Sequence, residues 1–138
     1  MKIKLERIDD AFNMKAMDEE GHEVSIDASE KVGGHNQGVR PMSMLIMGMG
    51  GCASVDVLLI LKKQRQKVED LKIELDAERE KDKEPALWSK VHVVFELSGQ
   101  IDEKKAQKAV DLSMKKYCSV AETMRRAGTE LSWEAKLV

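Results

Sequence analysis

The chain opens in polar–apolar alternation. Ile3, Leu5 and Arg7 fall on one side, and Lys2, Lys4 and Glu6 on the other. Phe12, Met14 and Ala16 repeat the period, as do Val24, Ile26 and Ala28. Period two predicts three short strands, half-buried, with turns at Asp9-Asp10 and at Asp18-Glu19-Glu20-Gly21. Residues 30–40 have no period and three glycines, which predicts a loop placed to act as a lid or to touch a ligand. Pro41 suits a first helical turn, and apolar residues then run to Leu61. The run Lys62-Lys63-Gln64-Arg65-Gln66-Lys67 closes that helix with charge that complements its C-terminal dipole. The helix is apolar almost all round, so it calls for cover on most sides. Gly48, Gly50 and Gly51 each weaken it by roughly 1 kcal/mol relative to Ala, which predicts close approach of a backbone, ligand or partner.

Two longer strands follow. Leu71, Ile73, Leu75 and Ala77 alternate with charged residues, and Val91, Val93, Phe95 and Leu97 repeat the pattern beyond a hairpin connection at 80–88. Asp102 is placed to cap a helix with the stripe Ala106, Ala109, Val110, Ser113 and Tyr117. Ser119-Val120-Ala121-Glu122 reads as a capping box for a further helix, stopped by Gly128. Leu131, Trp133, Ala135 and Leu137 predict a last strand. The order βββ-α-ββ-αα-β argues an α+β fold, with antiparallel sheets around a long buried helix, in one domain over residues 1–138.

Composition narrows the function. The balance of 23 basic and 25 acidic residues gives a net charge of −2, and aromatics are only 4%, so nucleic acid is not an expected partner. Met42–Leu61 approaches the length of a bilayer span, but Asp56, Ser43 and Ser54 interrupt it, which favours a core or interface helix and no membrane partner. The N-terminus lacks the apolar core of a signal peptide, so a cytoplasmic location is expected. Two cysteines are too few for a disulfide scaffold; in the cytoplasm a disulfide between them would be transient.

Those cysteines carry the candidate chemistry. Cys52 sits in the apolar helix, where burial alone raises a thiol's pKa, so it needs a nearby cation or donor. Cys118 precedes a helix start, whose free amides favour a negative sulfur. Asp56 lies one turn beyond Cys52 on the same face. Met42, Met44, Met47 and Met49 offer either an adaptable apolar pocket or plain packing. His22 and His92 read as solvated, whereas His35 in the glycine loop is a candidate ligand contact. No set of His and Cys has metal-ligand spacing, and no cofactor motif is found.

Three segments in order resemble the OsmC/Ohr family of small thiol peroxidases: Gly33-Gly34-His35-Asn36-Gln37-Gly38-Val39-Arg40-Pro41, then Gly50-Gly51-Cys52, then Tyr117-Cys118-Ser119-Val120. The resemblance implies an intertwined homodimer with sites at the subunit interface. It implies that Cys52 is the peroxidatic thiol and Cys118 the resolving thiol, that organic hydroperoxides are the substrate, and that a dithiol or lipoylated protein is the reductant. It also implies a catalytic arginine, for which Arg7 and Arg40 are both candidates. Met42, Met47, Met49 and His35 are candidate substrate contacts by their residue type and place in the chain. Where the peroxidase branches place glutamate after the helix-opening proline, this chain has Met42, so it is closer to the less-characterised branch. The alternative is a non-catalytic homodimer of the same fold that binds a small apolar ligand or a partner.

Overall fold

The computed structural model describes residues 1–138. The order is β1 (Lys4–Arg7), β2 (Met14–Met17), β3 (Glu23–Ile26), a 3-10 turn (Glu30–Val32), α1 (Pro41–Lys63), β4 (Lys67–Arg79), β5 (Trp88–Gln100), α2 (Glu103–Leu112), a π turn (Ser113–Tyr117), α3 (Ser119–Arg126) and β6 (Glu130–Leu137). The α+β reading and the element order agree with the sequence pattern. The contacts divide into two compact units, Met1–Leu45 and Ile46–Val138.

The first unit is an antiparallel sheet in the order β1-β2-β3. Its strands of four residues bury no apolar core: every residue of β1 is exposed, and so are Phe12 and Val24. What it buries is polar. Asp27 accepts backbone N–H bonds from Ala28 (2.7 Å), Gln37 (3.0 Å) and His35 (3.2 Å), which tie the following loop to the end of β3. Gly34 is required there, because a Cβ would stand 2.2 Å from the Ala28 carbonyl oxygen.

The second unit holds the core. β4 and β5 form a long antiparallel hairpin, and β6 joins β5 in parallel, so this sheet is mixed and not antiparallel throughout. A parallel partner needs a crossover, and α2, the π turn and α3 supply it. Alternation along β5 turns Val91, Val93, Phe95 and Leu97 to the interior. They meet Ala106, Ala109 and Val110 of α2 and the stripe Met49, Ala53, Val57, Leu61 of α1. Full burial of each larger side chain stabilises by about 1.5–3 kcal/mol. Trp133 Nε1 donates to Asp111 Oδ1 at 2.9 Å and ties β6 to α2.

α1 ends at Lys63, four residues before the end of the basic run, because Arg65 turns left-handed (φ 57°) and the N–H of Gln66 returns to the Leu61 carbonyl at 3.0 Å. The helix is long and apolar enough to cross a membrane by length and composition alone, yet one stripe of it belongs to the core. The other faces stay exposed, with Val55 at 57% and Leu59 at 51%. Of the three glycines, only Gly50 has a close neighbour, the Leu75 side chain at 3.1 Å from where a Cβ would sit; nothing lies near Gly48 or Gly51.

Phe95 is the largest fully buried side chain. Phe95→Ala is expected to cost about 3–5 kcal/mol, read as a lower urea midpoint at unchanged slope.

Candidate functional site

Three elements of the second unit converge on the thiols. Cys52 flanks the buried stripe of α1 and is half-buried, with Asp56 one turn further on. Cys118 arrives from the other direction. The π turn closes when the Cys118 N–H donates to the Ser113 carbonyl, five residues back, at 2.8 Å. The chain then extends at Cys118 (φ −68°, ψ 102°), which becomes the N-cap of α3. Its sulfur accepts the Ala121 N–H at 3.4 Å and lies 3.8 Å from the Met49 carbonyl oxygen. The capping box read from Ser119 and Glu122 does not form. Cys118 takes the capping role, and the Glu122 carboxylate accepts from Arg126 at 2.8 Å and from Arg125.

The sulfurs of Cys52 and Cys118 and a carboxylate oxygen of Asp56 all lie within 4.8 Å of one another. Cys52 Sγ is 3.9 Å from the Ser119 hydroxyl. Ser113, buried within the crossover, donates to Asp56 Oδ2 at 3.2 Å and faces the Ala53 carbonyl at 3.4 Å. Asp56 is thereby steered toward the thiol side of α1.

The two thiols are driven apart in acidity. Burial works against ionisation of Cys52, but the Val120 N–H, the Cys118 thiol and the hydroxyl and N–H of Ser119 outweigh it and hold Cys52 below its ordinary value. Burial pushes Cys118 up to about 11, and the neighbouring Cys52 sulfur adds to the rise against the Ala121 N–H. The helix-start amides therefore serve mainly Cys52, not Cys118 as the sequence suggested. The reason is depth: Cys118 is only 2% exposed, and desolvation there exceeds what the Ala121 and Val120 N–H groups return.

The other sequence candidates lie elsewhere. Met49 fills the core and Met47 is exposed; two residues apart on a helix they face in nearly opposite directions, so they do not line one wall. Met42 is half-buried near the start of α1. His35 pairs through Nδ1 with Asp9 Oδ2 at 2.9 Å, and that bond raises its pKa. The Arg40 guanidinium donates to the carbonyls of Asp27 and Gly38, each at 3.1 Å, and to Asn36 Oδ1. Arg7 ends the exposed β1. All four of these, Met42, His35, Arg40 and Arg7, belong to the first unit. A cavity of about 380 Å³ in the second unit is walled by Asp56, Leu59, Ile60, Leu112 and Tyr117, with Lys63 and Lys108 also on its lining. Another of about 380 Å³ over Asp76, His92 and Glu130 contains no thiol. Sequence reasoning missed Ser113 and the Val120 amide. A lone hydroxyl in the Ala106, Ala109, Val110 stripe was the available signal for the first; a backbone donor leaves none.

The model of the family described as OsmC-like protein matches residues 34–134. The chain belongs to the OsmC-like family. Protein YhfA of Escherichia coli K12 is 35% identical over 108 residues, 78% of this chain and 77% of its own length. A crystal structure of a hypothetical protein from Aquifex aeolicus VF5 superposes with a TM-score of 0.81 at 33% identity, covering 99% of this chain and 96% of the other. The organic hydroperoxide resistance protein OhrB of Bacillus subtilis shares the fold, with a TM-score of 0.63 at 19% identity over 98% and 96% of the two chains.

The opposed acidities set an order of reaction. On raising pH, Cys52 is expected to be alkylated by iodoacetamide first, with a midpoint below its ordinary value, and Cys118 only near 11. Peptide mass spectrometry after timed labelling reads the two separately.

Proposed function

We propose that this chain is a thiol-dependent peroxidase that reduces organic hydroperoxides, with Cys52 as the attacking thiolate and Cys118 as the resolving thiol. The observation that carries this reading is the pair of sulfurs within 4.8 Å, one more acidic than usual and one held protonated. The Cys52 thiolate attacks the terminal oxygen of the hydroperoxide and breaks the O–O bond. The products are Cys52 sulfenic acid and an alkoxide, which takes a proton to leave as an alcohol. Cys118 then condenses with the sulfenic acid, releasing water and forming a disulfide. An external dithiol, such as a lipoylated protein, exchanges with that disulfide and restores both thiols. The apolar cavity beside Asp56, rather than the methionine run, is the better seat for the organic group.

The reading includes a homodimer in the cytoplasm. Apolar exposure supports the dimer: Val55, Leu58 and Leu59 stand out on α1, and Leu5, Phe12 and Val24 on the first unit. Cationic assistance from Arg40 or Arg7 is part of the proposal. Arg40→Met and Arg7→Met test it by a fall in kcat/KM with the Cys52 labelling profile retained. The second reading, a homodimer that binds a small apolar ligand without turnover, draws on the same cavity.

Intact mass spectrometry separates the two. One equivalent of cumene hydroperoxide is expected to remove two protons from the wild type and to leave an oxygen adduct on Cys118→Ser. In an NADH-coupled lipoamide assay, Cys52→Ser is expected to lower turnover by more than about 100-fold. An unchanged mass in the wild type would overturn the peroxidase reading and leave the binder.

Native mass spectrometry is expected to give twice the 15.5 kDa chain mass, and Val55→Glu to shift the population toward one chain. A single-chain mass for the wild type at micromolar concentration counts against the dimer.

A further inference from the structure

We propose that Cys52, Cys118 and Asp56 together form a binding site for a single thiophilic divalent cation, zinc(II) being the ion whose chemistry fits the donors. The three donor atoms lie within 4.8 Å of one another. A tetrahedral zinc ion with bonds of about 2.3 Å to sulfur and about 2.0–2.2 Å to oxygen separates its donors by roughly 3.5–3.8 Å. The 4.8 Å limit on the observed separations exceeds that spacing by only about 1 Å. The donors stand on rigid elements: Cys52 and Asp56 are one turn apart on α1, and Cys118 is the N-cap of α3.

The surroundings suit a ligand set. Ser113 donates to one oxygen of Asp56 at 3.2 Å, the kind of outer contact that orients a ligating carboxylate. Two sulfurs and one oxygen select a borderline-soft ion over magnesium or calcium, which prefer oxygen throughout. Three protein ligands leave a fourth position for water. Binding releases one proton from each thiol to solvent, and two thiolates and a carboxylate around a divalent ion leave one net negative charge. The cluster of Asp9, Asp10 and His35 makes the contrast: it has no sulfur, is largely exposed, and its His35 ring is already bonded to Asp9.

Metal binding needs only the reduced thiols and holds whether or not the protein turns over peroxide. A consequence that does rest on the peroxidase reading is mutual exclusion: the ion shields both sulfurs from oxidant, and the disulfide cannot hold the ion.

The test uses reduced, metal-free full-length protein. Zinc is titrated against a chromophoric chelator, and cadmium is added separately to read the thiolate-to-metal charge-transfer band. The expected result is one ion per chain with that band present. Asp56→Asn is expected to weaken binding by about tenfold or more, and Cys52→Ser or Cys118→Ser to abolish the high-affinity event. Wild-type protein with both thiols alkylated, or oxidised to the disulfide, keeps its native sequence and is also expected to lose the ion. Asp9→Asn is expected to change nothing. No binding by the reduced wild type, or binding that survives loss of either thiol, overturns the site. A peroxide arm without metal reports the peroxidase reading by mass alone, so each idea fails on its own measurement.

Discussion

The chemistry of this protein hangs on one contact, the start of α3 pressed against the Cys52 turn of α1. Helix starts carry N–H groups with no partner inside the helix, and here those of Ser119 and Val120 are spent on the Cys52 sulfur. Cys118, one residue earlier, satisfies the Ala121 N–H with its own sulfur and is sealed beneath Met49. A single chain turn therefore supplies the second thiol, the donors that acidify the first, and the burial that keeps the second protonated. Separate either helix from the other and both thiols revert to ordinary cysteines.

That contact is held by the packing around it. The α1 stripe of Met49, Ala53, Val57 and Leu61 lies in the same core as Ala121 and Met124 of α3, so the angle at which the helices meet is set by apolar burial. The π turn adds the local correction. One extra residue per turn between α2 and α3 lets Ser113 face α1 while Cys118 leaves helical geometry in time to cap the next helix. The first unit has a different economy, with Asp27 organising backbone amides and apolar side chains left toward solvent.

Much of the fold was legible because its signals are periodic. The alternation in β4, β5 and β6 and the Asp102 cap stand in the structure as the pattern implied, the cap accepting from the Lys105 N–H at 3.0 Å. The parallel pairing of β6 was not legible, since alternation is the same for either direction. The length of α1 was overread because charge alone does not say where a backbone turns left-handed at Arg65. At the site, the cysteines announced themselves by type and by their neighbours. The split in their acidity did not, because it depends on depth and on amides that any residue can present. The Ser119–Glu122 box failed for a related reason: Arg125 and Arg126 compete for the same carboxylate.

The parallel strand has a consequence for how the molecule comes to be. Cys118 sits in the crossover that carries the chain from β5 to β6, so its position is secured only when the last eight-residue strand has docked. Parallel pairing across such a crossover is non-local and forms late in folding. Before that moment Cys52 has neither its donors nor its neighbour. The order in which the strands dock thus decides when the two sulfurs meet.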